Sequence, residues 1–226
     1  MTTIATTLKR FNRKERYWVV RTALGSHGET LDAGFCAALE RVLSDKEVKI
    51  NPREAWWGMD YHFNWLFAAL RMHCDEYEPG EERAWSNAAG AVQGNQEDID
   101  LVVATGSDLI LVEAKNGAWS SDQLRSKIER LKLLQADESG VVGLGERSIR
   151  LHFVLMSPSD PSKSGLRALL AAAPAWMRRG NEMAWRWMEL DPAARLADCK
   201  VHRSDANGKK DKTGVHWTIA MRNRVG

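Results

Sequence analysis

Cysteine is scarce in this chain. The three present, Cys36, Cys74 and Cys199, are widely separated and odd in number, and none forms a Cys-x-x-Cys pair. That argues against a disulfide framework and a structural zinc site, and it suits a reducing compartment. Long apolar runs are lacking too. None approaches the ~20 residues of a membrane span, so no membrane partner is expected. Met1–Thr7 has no basic stretch leading into an apolar one; no secretory leader is expected, and the expected location is the cytoplasm. Neither charge sign dominates: 32 Lys and Arg face 30 Asp and Glu, a net charge of +2. Any nucleic-acid surface must therefore be a local patch. Walker A loops, Gly-x-Gly-x-x-Gly and Gly-x-Ser-x-Gly are all missing, which removes P-loop, Rossmann and α/β-hydrolase readings.

What is present is an ordinary globular composition, 44% hydrophobic and 27% charged over 226 residues, enough for a real core. Lys9–Leu24 reads as a helix with Lys9, Arg10, Arg13, Lys14, Arg16 and Arg21 outside and Phe11, Trp18 and Leu24 inside. Leu31, Phe35, Leu39 and Val42 step at helical spacing behind Thr30, a candidate N-cap. Asn51–Glu54 is a break. Asp60–His73 is apolar almost all round, as a buried helix is. Trp85–Val92 is a strand candidate, and Ile99–Ala104, Leu109–Ala114 and Ile149–Met156 are strong strands. Ser120–Ala136 reads as an amphipathic helix, and Leu166–Ala173 as a short helix stopped by Pro174. Ala184–Leu190, Leu196–His202 and Val215–Met221 read as strands of a terminal antiparallel appendix. The ten tryptophans are expected mainly in the core.

Two of these strands flank Gly106-Ser107, where glycine at the first central position suits a type II′ turn. That turn places Leu101 opposite Val112 and Asp100 opposite Glu113. One face is then apolar throughout, while the other turns acidic at the end remote from the turn. Opposed side chains have Cβ atoms roughly 5 Å apart. Two carboxylates there repel by about 3 kcal/mol at an effective dielectric of ~20. Lys115 lies diagonal to Asp100 and relieves part of that cost. A hard divalent cation would remove it and use the oxygens as ligands; otherwise one carboxyl should hold a proton. A plainer arrangement pairs Lys115 with Asp98 and lets both acids splay into solvent. Strands apolar on both faces weigh against it, since a buried sheet seldom ends in a like-charge pair.

Asp-x12-Glu-x-Lys on a hairpin followed by a helix resembles the PD-(D/E)XK superfamily of restriction-endonuclease-like nucleases. The resemblance covers about half the chain and extends to element order. The family core of helix, three strands, helix and strand maps to Asp60–His73, Trp85–Val92, Ile99–Ala104, Leu109–Lys115, Ser120–Ala136 and Ile149–Met156. It implies an α/β fold, a mixed central sheet flanked by helices. Residues 1–50 would form an N-terminal helical layer, 51–177 the nuclease core and 178–226 the β appendix, parts of one compact domain.

By the same resemblance, Asp100, Glu113 and the Ala114 carbonyl would hold Mg²⁺ or Mn²⁺, and Lys115 would position and help deprotonate the attacking water. Asp60 is a further metal-ligand candidate, with a helix N-cap as the alternative; Asp98 is a weaker one. Gln123 stands where some members use a glutamine to orient the site, although Ser120-x-x-Gln123 also reads as a capping box. Lys127 stands where those members often carry tyrosine, and Ile99 where the motif name expects proline. The implied activity is metal-dependent hydrolysis of DNA, with RNA also open and a homodimer among the assemblies the family allows. The alternative is an inactive nuclease-like fold that binds nucleic acid or protein through tryptophan-rich and basic surfaces. Those include Lys209, Lys210 and Lys212.

Overall fold

A two-residue turn organises the sheet. Gly106 takes φ 54°, and Asp60 is the one non-glycine residue with positive φ among those described, so Ser107 stays negative. This is the sign pattern of a type II′ turn. It joins β2 (Asp98–Thr105) to β3 (Asp108–Ala114), paired antiparallel from Thr105↔Asp108 to Leu101↔Val112, in the register expected from the sequence. The computed structural model describes residues 3–11, 15–25, 30–43, 48–74, 84–94, 97–135, 149–161, 166–179, 183–190 and 199–221. They fall into two compact units, Met1–Glu189 and Leu190–Gly226.

In the first unit β1 (Trp56–His62) pairs antiparallel with the other edge of β2. On the far side, β4 (Arg150–Ser157) lies parallel to β3 and β5 (Trp187–Glu189) parallel to β4. The mixed sheet runs β1-β2-β3-β4-β5. A parallel neighbour needs a crossover, and the stretch between β3 and β4 carries α5 (Ser121–Lys132).

Helices cover both faces. Leu8 of α1 (Ile4–Phe11), Leu66 and Leu70 of α4 (Phe63–Cys74), and Leu124 and Ile128 of α5 pack with Val102, Ala104, Leu109, Leu111, Phe153 and Leu155. On the other side Cys36, Leu39 and Leu43 of α3 (Ala33–Leu43) meet Val103, Ile110, Val112 and Val154. The split follows the strand's period of two. Tyr61, fully buried, donates its hydroxyl to the Leu8 carbonyl at 2.9 Å and ties α1 to the sheet. At the turn end, the buried Asp108 accepts from Arg150 at 2.8 and 2.9 Å and meets His152 Nε2 at 2.8 Å. The buried charge is thereby paired and hydrogen-bonded.

Several expectations are corrected. The first strand is Trp56–His62, not Trp85–Val92, which is turn and irregular chain. The β-favouring Trp56, Trp57 and Tyr61 outweigh Gly58 and Asp60. The buried helix accordingly starts at Phe63 rather than Asp60. Strand alternation slips at Asp60, whose φ is 48°. Trp56 and Tyr61 consequently enter the same core cluster, and Ile99, opposite Tyr61, follows them instead of facing away.

The helix expected over Lys9–Leu24 is two helices, α1 and α2 (Glu15–Leu24), with Arg13 and Lys14 outside the described residues. Trp18 and Leu24 are exposed, and Tyr17 is the buried side chain of α2. The α3 N-terminus is capped by Asp32, whose carboxylate accepts from Phe35 N at 2.8 Å, and not by Thr30. Trp187–Glu189 joins the main sheet rather than the appendix. Of the tryptophans, Trp56 and Trp185 are buried while Trp18 and Trp217 are exposed. A short helix α6 (Arg167–Ala172) stands where expected.

The second unit is a two-stranded antiparallel sheet of β6 (Cys199–Ser204) and β7 (His216–Met221). Gly214 approaches the Ser204 carbonyl so closely that a Cβ would lie 2.1 Å from its oxygen. Residues 191–198, which contain part of the expected strand Leu196–His202, lie outside the described residues.

Candidate active site

The site forms where β2 and β3 part. Their ladder ends at Leu101↔Val112, one pair short of Asp100 and Glu113. The expected side-by-side pair gives way to a different contact: the Asp100 carboxylate accepts the Ala114 amide through Oδ2 at 2.7 Å. The Lys115 amide turns to the Met156 carbonyl at 2.8 Å, so the chain after β3 continues along β4. Parting frees space at the strand ends while a carboxylate satisfies the amide that the ladder no longer serves.

Glu113 shares the face of Leu109 and Leu111, beneath α5, and is 9% exposed. Its Oε1 receives the Lys127 ammonium. Its Oε2 is buried with no hydrogen-bond partner among the described residues. Burial pushes the Glu113 pKa up from 4.5 to about 7; Lys127 pulls it down, Asp100 pushes it up, and Lys115 pulls weakly down. A carboxyl that burial drives towards neutrality is thus held between one acid and two ammonium groups.

The two lysines divide the work. Lys127 also donates to the Asp98 carbonyl at 2.8 Å. Lys115 donates to Gln123 Oε1 at 3.3 Å. Ser120 Oγ caps α5 by accepting from Gln123 N at 3.4 Å. The glutamine backbone therefore serves the cap while its side chain faces the site. Gln123 and Lys127 are one turn apart on α5, which puts both on its flank towards β3. Glu113, Lys115, Trp119, Ser120, Gln123 and Leu124 line a shallow hollow open to solvent. Trp119 and Trp187 both donate their ring N–H to Ser157 Oγ, at 3.1 and 3.2 Å, which fixes one wall.

Asp100, Ala114, Glu113, Lys115 and Gln123 therefore share one place in the fold. Asp60 is not an N-cap. It lies in β1, level with Asp100 between the pairs Met59↔Leu101 and Tyr61↔Ile99, and its carboxylate pairs with Arg16 Nε at 3.2 Å. Asp98 faces His62 Nδ1 at 3.0 Å and not Lys115. Among the described residues no three of His, Cys, Asp and Glu gather to hold a metal. Side-chain donors at this site thus come to two, Asp100 and Glu113. Their hard oxygens, with the buried Glu113 Oε2 unpartnered, suit Mg²⁺ or Mn²⁺ completed by backbone carbonyl or water.

Lys127 stands in the sequence only as a departure from the family's tyrosine; its contact with Glu113 is what sequence reasoning did not supply. Its position one turn beyond Gln123, flanking an apolar helix face, was the available signal.

Comparison with protein-family models, curated proteins and solved structures finds no match to this chain.

Proposed function

We propose that this chain is a metal-dependent nuclease with a restriction-endonuclease-like core, hydrolysing phosphodiester bonds of DNA. The observation that carries the reading is the buried, unpartnered Glu113 Oε2 beside Asp100 at the parted end of a hairpin. An antiparallel meander β1-β2-β3 followed by a helical crossover to a parallel β4 supports it. So does the convergence of Lys115 and Gln123 on the same hollow.

Asp100 and Glu113, with the Ala114 carbonyl, would hold Mg²⁺ or Mn²⁺, which when bound lowers the pKa of water and neutralises phosphate charge. Asp100 is already oriented by the Ala114 amide, so little conformational freedom remains to be lost when the site is filled. Lys115, steadied by Gln123, presents an ammonium at the mouth of the hollow. There it can orient water and hold charge at a phosphate oxygen. Burial beneath α5 strengthens each of these charge interactions.

The test is cleavage of plasmid, single-stranded DNA and RNA with Mg²⁺ or Mn²⁺, stopped by a chelator. Glu113→Ala and Lys115→Ala should each lower the rate by about 10²-fold or more. Cleavage unchanged by either substitution would remove this site from the reaction. The Lys127–Glu113 contact favours a second reading, a nuclease-like fold that binds nucleic acid or protein without cutting. Band shifts with no cleavage at any metal concentration would select it.

A further inference from the structure

Two ammonium groups lie near Glu113, beside the Asp100 carboxylate, and they are used differently. Lys115 is within electrostatic reach but donates to Gln123. Lys127 makes direct contact with Oε1, and both side chains of that pair are nearly buried, 14% and 12% exposed. Lys127 has a second acceptor, the Asp98 carbonyl at 2.8 Å. The ammonium is thus tethered at two points, one to the candidate metal-binding carboxylate and one to backbone that is not part of it.

We infer that Lys127 is a resident counter-ion of the metal site, occupying Glu113 Oε1 while the site is empty and yielding that oxygen when a divalent cation binds. The inference rests on the metal-site reading above. An ammonium and a divalent cation pressed on one buried carboxylate repel each other, and low local dielectric enlarges the repulsion. Glu113 therefore exchanges one cation for another. The Asp98 carbonyl retains the displaced ammonium, so Lys127 need not leave the site. Two consequences follow. Metal-free, Lys127 keeps a buried carboxylate in place for its ligand. On loading, the same contact must be broken, which sets the metal concentration that the protein requires. Lys127 is a positioning residue in this scheme, since it acts through Glu113.

Mn²⁺ affinity decides the matter. Free Mn²⁺ is counted by electron paramagnetic resonance, under argon and near pH 8.5, above the Glu113 pKa of about 7 so that protons compete little. The wild-type protein is compared with Lys127→Met, Lys127→Gln, Lys127→Arg and Glu113→Gln. Removing the charge in Lys127→Met or Lys127→Gln should tighten Mn²⁺ binding about tenfold or more. Lys127→Arg keeps the charge and should not tighten Mn²⁺ binding as the neutral variants do. Glu113→Gln should abolish the site. Mn²⁺ binding that depends on Glu113 but is equal or weaker in both neutral variants would overturn the counter-ion role alone. No Glu113-dependent binding in the wild type or either neutral variant would overturn the metal site and this inference together. Two neutral variants are used so that poor folding of one leaves the other to decide.

Discussion

Replacing Glu113 with glutamine should change how stability depends on pH, by an amount the structure sets. Glu113 is buried, and its pKa moves from 4.5 to about 7. At 1.36 kcal/mol per pH unit, that interval corresponds to about 3 kcal/mol. The sign follows from proton counting. Between pH 4.5 and about 7 the unfolded chain has lost this proton while the folded chain retains it. Unfolding stability then falls as pH rises, because the native state binds more protons. The favourable contribution is complete below 4.5 and is gone above about 7. Glutamine cannot titrate.

Urea unfolding of metal-free wild type and Glu113→Gln, in chelator from about pH 4.5 to 8.5, isolates this one group. Wild-type stability relative to the variant should fall by about 3 kcal/mol across that range. Saturating Mg²⁺ should restore much of the loss at high pH, because ligand binding to the native state stabilises it. Profiles that run parallel within about 0.5 kcal/mol would show that Glu113 is not raised, and the case for a buried, charge-frustrated carboxylate would fail.

Other perturbations separate fold from site. Asp108→Asn at the opposite end of the hairpin weakens the hydrogen bonds to Arg150 and His152; with Arg150 part-exposed, it should cost about 1–3 kcal/mol in urea unfolding while leaving Mn²⁺ affinity unaltered. Tyr61→Phe removes the hydrogen bond to the Leu8 carbonyl, with an expected loss of about 1–2 kcal/mol in the same assay. Gly106→Ala forces a side chain onto φ 54° at the first central position of a type II′ turn and should destabilise by about 1 kcal/mol or more in the same assay. Gln123→Ala should lower cleavage and leave the α5 cap intact, since Ser120 Oγ accepts from the backbone N of residue 123; circular dichroism melts distinguish the two effects.

The parts of this molecule that local chemistry dictates were readable. Gly106-Ser107 set the hairpin register, and alternating apolar residues on β2 and β3 required cover on both faces. Ser120 marked the start of α5. What local pattern could not supply was the effect of neighbouring elements. Strand β1 was hidden because Gly58 and Asp60 interrupt its alternation, and Asp60 bends into a left-handed conformation. Trp18 looked like core by helical spacing, yet Tyr17 is the residue that meets Trp57 edge-on at 5.0 Å between ring centres.

At the site, opposition of Asp100 and Glu113 followed from an uninterrupted ladder. The ladder instead stops one pair early, and Asp100 takes the Ala114 amide. The contact of Lys127 with Glu113 was not legible because the two lie on α5 and β3, brought together only once α5 packs down on the sheet.

Crystals of the protein soaked in Mn²⁺, with anomalous scattering mapped at the manganese edge, test the metal site most directly. One peak is expected about 2.0–2.6 Å from oxygens of both Asp100 and Glu113, with Lys127 no longer on Glu113 Oε1. A map with no peak there, or with manganese held elsewhere while Lys127 keeps its contact, would contradict the reading of this hairpin as a catalytic metal centre.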